Sequence, residues 1–318
     1  MLAVLFNNTL SCYSCRAGNS FFTAFNSTSL CCLSLRGIHA AVTKEHLLHS
    51  YRDQSYRLEH NTLKTAINQH TGFAHLTDLP CISLQYGAAT AVISLYGAQL
   101  LSYKPSAERE VLWLSPKAGW HNGQAIRGGI PICWPWFGPA SAPFNPDDNV
   151  LPNHGLVRNR LWQLAQQHSS PNGASVCLQL ELNDVPHYRG TVLVKLVVNL
   201  SDSLSVQLSC NSPMPQQGAL HSYFNIGDIG SVLIRPLPTQ YLDKVSAQTV
   251  AEPQLSTGVC TEVDRIYSDS AAQLRLDAQT GAVAINQAGH DATIVWNPWR
   301  EKSSRTADLT PDSYQSFV

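Results

Sequence analysis

The chain reads as an all-β protein built as a large antiparallel β-sandwich. Three observations carry this. Short apolar/polar alternating runs recur from Pro80 onward, and glycine and proline breaks separate them. Helical periodicity is almost absent from the same region. Successive side chains of a strand point to opposite faces, so alternation marks half-buried strands, and many short strands between turn signals mark a sandwich or barrel. The 318 residues suffice for one large β domain with a full core.

In order, strands are predicted at 81–86, 91–96, 99–103 and 111–114. A second group follows at 161–164, 175–182, 191–200 and 203–209, read as meander strands with one face buried. Further strands are placed at 219–224, 232–235, 282–285 and 293–296. Between the groups lies IRGGIPICWPWFGPASAPFNPDDNVLPNHGLVRNRLW, from Ile126 to Trp162. Proline lacks the backbone donor a central strand needs, and glycine weakens strand and helix alike, so this stretch is predicted to be loop. Trp134, Trp136 and Phe137 stiffen it, with wall packing the expected role of at least two of them. Arg127 stands at one end and His154 and Arg158 at the other. Loops on a rigid scaffold are where binding groups concentrate.

Residues 1–58 differ in composition. They are rich in Ser, Thr, Asn and Cys, and their first acidic residue is Glu45. They are read as a poorly ordered extension preceding one domain over 59–318, with a short helix possible within 44–68. The CxxC at Cys12–Cys15 has no second pair to complete a zinc site. Cys81, Cys133, Cys177, Cys210 and Cys260 stand singly among apolar neighbours and are expected to be reduced core residues.

Composition excludes some functions. Net charge is −1 and no basic run occurs, which argues against nucleic acid as partner. No apolar stretch is long enough for a transmembrane helix, so a membrane partner is not expected either. A monomeric cytoplasmic protein is the expectation.

Five motifs, in order, resemble one family: RGGIPICWPWFGP, LPNHGLVRNRLW, ALHSYFNIGDI, VDRIY and VWNPW. From Leu79 to Val318 the chain resembles the hexose-6-phosphate mutarotases (glucose-6-phosphate 1-epimerases) of the aldose 1-epimerase, galactose mutarotase-like group. The resemblance implies a β-supersandwich with the sugar site on a concave sheet face. It implies an isomerase that interconverts the α and β anomers of D-glucose 6-phosphate and needs no cofactor and no metal. The partner would be a small hexose phosphate.

The resemblance assigns residues as well. His221 takes the place of the catalytic general acid, a role suited to a group whose ordinary pKa lies near neutrality. A structural histidine bonded within the sheet is the competing reading. His154 would polarise the ring oxygen or hold a sugar hydroxyl. Arg127 and Arg158 would hold phosphate, with Asn153 beside them, because guanidinium forks match phosphate oxygens. Asp264 would accept hydrogen bonds from ring hydroxyls, and Arg160 is read as a surface ion pair.

One element is missing. In this group the general base is a glutamate on the final strand, just after a segment like Asp308–Val318. The chain is therefore read as an enzyme cut short before that strand, leaving a neighbouring strand edge unpaired. The alternatives are a non-catalytic binder of sugar phosphates, replacement of the base by another carboxylate (Glu252, Glu262, Glu301 or Asp264), and a mutarotase for unphosphorylated aldoses.

Overall fold

The structure is a computed structural model that describes residues 2–7, 31–36, 63–141, 144–251 and 258–318. Its strands are, in chain order, β1 Leu2–Asn7, β2 Cys31–Arg36, β3 Thr65–Phe73, β4 Leu76–Tyr86, β5 Ala89–Ser94, β6 Leu100–Lys104, β7 Ile132–Cys133, β8 Gln163–Ser170, β9 Gly173–Leu182 and β10 Val192–Leu200. They continue with β11 Ser203–Cys210, β12 Gln217–Ser222, β13 Leu233–Arg235, β14 Gln240–Asp243, β15 Gln248–Ala251, β16 Val263–Ser268, β17 Gln273–Asp277, β18 Val283–Ala288 and β19 Ala292–Asn297. Among the described residues one α-helix, α1, spans Trp299–Arg305.

The strands form three antiparallel sheets. A seven-stranded sheet has the order β15-β14-β16-β19-β1-β12-β7, an eight-stranded sheet β13-β17-β18-β2-β11-β10-β9-β8, and a four-stranded sheet β3-β4-β5-β6. The large antiparallel β-architecture expected from the alternation is thus what the chain adopts.

The alternation works as a burial code. Along β10 every second residue is buried: Val192, Val194, Leu196, Val198 and Leu200. Leu204, Val206 and Leu208 on β11 join them, as do Val176, Leu178 and Leu182 on β9. Each such side chain contributes about 1.5–3 kcal/mol relative to exposure. A one-residue slip of register would turn all of them to the opposite face.

Some elements differ from the sequence reading. Val111–Leu114 is not a regular strand; Leu112 and Leu114 make isolated bridges to Phe224 and Gly128. The possible helix within 44–68 is replaced at its end by β3, which begins at Thr65, and residues 44–62 lie outside the described residues. Trp299–Arg305, for which the sequence reading places no element, is helical. Of the stretch set apart as an N-terminal extension, Leu2–Asn7 and Cys31–Arg36 are strands inside the two large sheets, and the rest lies outside the described residues.

β1 bears on the site directly. It lies between β12 and β19, with Ala3 opposite His221 on one side and Ile294 on the other. Val318 pairs with Phe224, and Leu2 pairs with Ser222, two positions before Phe224. Ser316–Val318 and β1 therefore lie end to end against the same stretch of chain. The strand edge expected to be unpaired is paired along β12.

Among the described residues of the loop from Ile126 to Trp162, only β7 is regular. Gly129 and Gly155 are required there by contact. A Cβ on Gly129 would stand 2.1 Å from the Leu100 carbonyl oxygen, and one on Gly155 would stand 1.9 Å from that of Trp134. Both residues hold φ values in the left-handed region, at +60° and +81°. These approaches press RGG and NHG against the scaffold and so fix Arg127 and His154. Trp134 and Trp136 are core residues, as expected for two of the three aromatics, while Phe137 is half-buried.

Candidate active site

A cavity of about 310 Å³ opens over the seven-stranded sheet. His221 reaches it from β12, Asp264 from β16 and Trp296 from β19, while the loop contributes Arg127, Phe137, Asn153 and His154. A smaller cavity of about 170 Å³ shares His221 and Arg127 and adds Arg158, Tyr223 and Asp308. The six residues singled out by sequence thus fall around two adjoining cavities. Five line the larger one, and Arg158 lines the smaller.

His221 is 7% exposed. Its ring stacks on Tyr223 at 4.9 Å between centroids and meets the His154 ring edge-to-face at 5.6 Å. Its Nδ1 is buried with no hydrogen-bond partner among the described residues. That is unlike a histidine retained to satisfy a sheet. Burial, then the neighbouring His154 and Arg127, hold its pKa well below the usual imidazole range.

His154 sits at φ +66° just before Gly155. The Gly138 N–H donates to its Nδ1 at 3.1 Å, and its own backbone N–H donates to the Gly138 carbonyl at 2.7 Å. With Nδ1 accepting, the neutral ring carries its proton on Nε2. Burial first, then Arg158, Arg127 and Lys244, push its pKa down to about 3.

Arg127 donates from Nε to Asp308 at 3.0 Å and from Nη1 to Tyr223 Oη at 2.8 Å. Asp264 pairs with Lys244 at 3.5 Å. Burial raises its pKa, and Lys244 opposes that shift. Lys302, on α1, reaches the cavity and donates to Glu262 at 2.7 Å. Arg160 makes a surface ion pair with Asp184, as expected.

Tyr223, Lys244, Lys302 and Asp308 were not singled out from sequence. Tyr223 lies two residues after His221 in a recognised motif and could have been found there. The others come from β14's end, α1 and the C-terminal segment, and no local pattern marks them. Of the alternative carboxylates, Glu262 is held by Lys302, Glu301 is exposed beside Arg305, and Glu252 lies outside the described residues. Cys81 and Cys133 are buried free thiols, Cys177 and Cys210 are partly buried, and Cys260 is exposed, unlike the core position expected of it. Among the described residues no helix is long and apolar enough to cross a membrane.

Comparison with known proteins places the chain in a family. A protein of Escherichia coli K12 named "Putative glucose-6-phosphate 1-epimerase" is 34% identical over 253 residues, covering 76% of this chain and 82% of the relative. A protein of Cenchrus ciliaris with the same name is 28% identical over 72% of this chain and 73% of its own. The crystal structure of a "putative mutarotase" from Salmonella typhimurium superposes with a TM-score of 0.69 at 30% identity, over 79% of this chain and 87% of that one. The sequence profile of the aldose 1-epimerases matches residues 80–318. Paired imidazoles beside a carboxylate on a β-sheet face are thus set within a chain that belongs to the aldose 1-epimerase family.

Proposed function

We propose that the two cavities together bind a hexose 6-phosphate and interconvert its α and β anomers. The observation that carries this is the meeting of His221 and His154 at 5.6 Å beside Asp264, with Arg127 shared between the cavities. Opening the ring needs one proton delivered to the ring oxygen and one passed from the C1 hydroxyl to solvent water. The C1–O5 bond breaks and an aldehyde forms at C1. Rotation about C1–C2 and reclosure on the other face give the second anomer.

His221 serves as the proton carrier at the ring oxygen. His154, with its proton on Nε2, donates a hydrogen bond to a sugar oxygen. Asp264 accepts from ring hydroxyls. Arg127 and Arg158 hold the phosphate, with Asn153 at the rim. The phosphate also bears on the chemistry. Burial comes first in holding the His221 pKa down and the neighbouring cations second; the two negative charges of the phosphate oppose the second cause, which acts to raise the pKa of the group that must protonate the substrate.

A second reading follows from the ladder beside His221. The position paired with it is Ala3, which offers no carboxylate. On that reading the site binds sugar phosphate without turnover. Exchange between the anomers of glucose 6-phosphate, followed by NMR magnetisation transfer against the spontaneous rate, separates the two. Acceleration that disappears in His221→Ala supports the isomerase. Saturable binding without acceleration supports the binder.

A further inference from the structure

The clearest long-range construction in the site surrounds Arg127. Asp308 lies 181 residues further on, yet its carboxylate takes the Arg127 Nε at 3.0 Å. Their side chains are only 25% and 16% exposed. Buried Ser115 joins the two backbones: its N–H donates to the Arg127 carbonyl at 3.0 Å, and its Oγ donates to the Asp308 carbonyl at 2.6 Å. Tyr223 Oη takes Nη1 at 2.8 Å on the other side of the guanidinium. A guanidinium has five N–H donors in one rigid plane. Two anchors on separate nitrogens fix that plane, and the remaining donors stay available along the wall between the cavities.

We infer that Asp308 is a positioning residue that holds Arg127 in the one orientation in which its fork meets a substrate phosphate, with Ser115 setting the distance between their backbones. The inference rests on the proposed reading of Arg127 as a phosphate ligand. Asp308 also repels a phosphate by its charge, and the two effects have opposite signs. Its carboxylate is committed to Arg127 at ion-pair distance, so orientation outweighs repulsion. Affinity for phosphate therefore falls when Asp308 is changed.

Calorimetric dissociation constants test this on the full chain, with glucose 6-phosphate, inorganic phosphate and glucose as probes. Asp308→Ala is expected to weaken both phosphate probes by about ten- to a hundredfold, the range of a lost hydrogen bond to a charged group, with glucose unchanged. Asp308→Asn should fall between Ala and the native residue, and Ser115→Ala should weaken phosphate in the same direction by less. Tighter phosphate binding in Asp308→Asn overturns the inference, because repulsion then dominates. Equal loss for glucose also overturns it, because the role is then general support of the fold. Ser115→Ala decides the matter if the Asp308 variants do not fold. Arg127→Met separates the two layers. Unchanged phosphate affinity there removes the phosphate reading itself, whereas loss in Arg127→Met with none in Asp308→Ala removes this inference alone.

Discussion

The backbone N–H of Gly138 donates to Nδ1 of His154 at 3.1 Å, which fixes the neutral imidazole as the Nε2–H tautomer. The ring is thereby a donor toward the cavity and a poor proton acceptor. ¹⁵N shifts of His154 are expected to show a protonated Nε2 and an unprotonated Nδ1 across neutral pH. A His154→Gln variant retains a donor and should keep more substrate affinity than His154→Ala.

The depressed pKa of His154, about 3, has a consequence for stability. The unfolded chain takes up a proton near pH 6.5, while the folded one resists until about 3. Stability is therefore full above about pH 6.5 and declines as pH falls toward 3. His221 acts with the same sign. Denaturant midpoints measured from pH 7.5 down to 4 should fall, and less steeply in His154→Gln.

Replacing His221 with Asn should lower the rate of anomer exchange by about 10²- to 10⁴-fold, the usual worth of a placed acid–base group. The fold should survive, since no hydrogen bond of its Nδ1 is lost among the described residues. Thermal unfolding monitored beside the exchange rate checks both parts.

Lys244 is expected to keep Asp264 ionised against its burial. In Lys244→Met the carboxylate pKa moves higher. Sugar affinity should then be lost at a higher pH than in the native protein as the solution is acidified. Titrating glucose 6-phosphate affinity between pH 4 and 7 reads this displacement.

Gly155→Ala should cost at least about 1–3 kcal/mol, since φ is +81° and the added Cβ would stand 1.9 Å from the Trp134 oxygen. The same change displaces His154. Chemical denaturation and substrate binding should therefore fail together.

What could be read from the sequence was local. Alternation in β9, β10 and β11 gives their faces, because a strand's period is two and one face is buried. The RGG and NHG motifs give Arg127 and His154, because glycines pressed against carbonyl oxygens tolerate no replacement. Short strands such as β14 and β15 show no such signal, since few of their residues are buried. β1 escaped because its residues come from a region whose composition resembles nothing else in the chain, and only pairing with β12 and β19 makes them a strand. Tertiary structure alone decided the rest. Asp308 meets Arg127 across 181 residues, Lys244 meets Asp264 from the end of another strand, and Arg158 enters the smaller cavity rather than the larger. Ion pairs between distant segments leave no periodicity behind, so the motifs name the candidate site residues, while the groups that pair with them emerge only when the sheets bring them together.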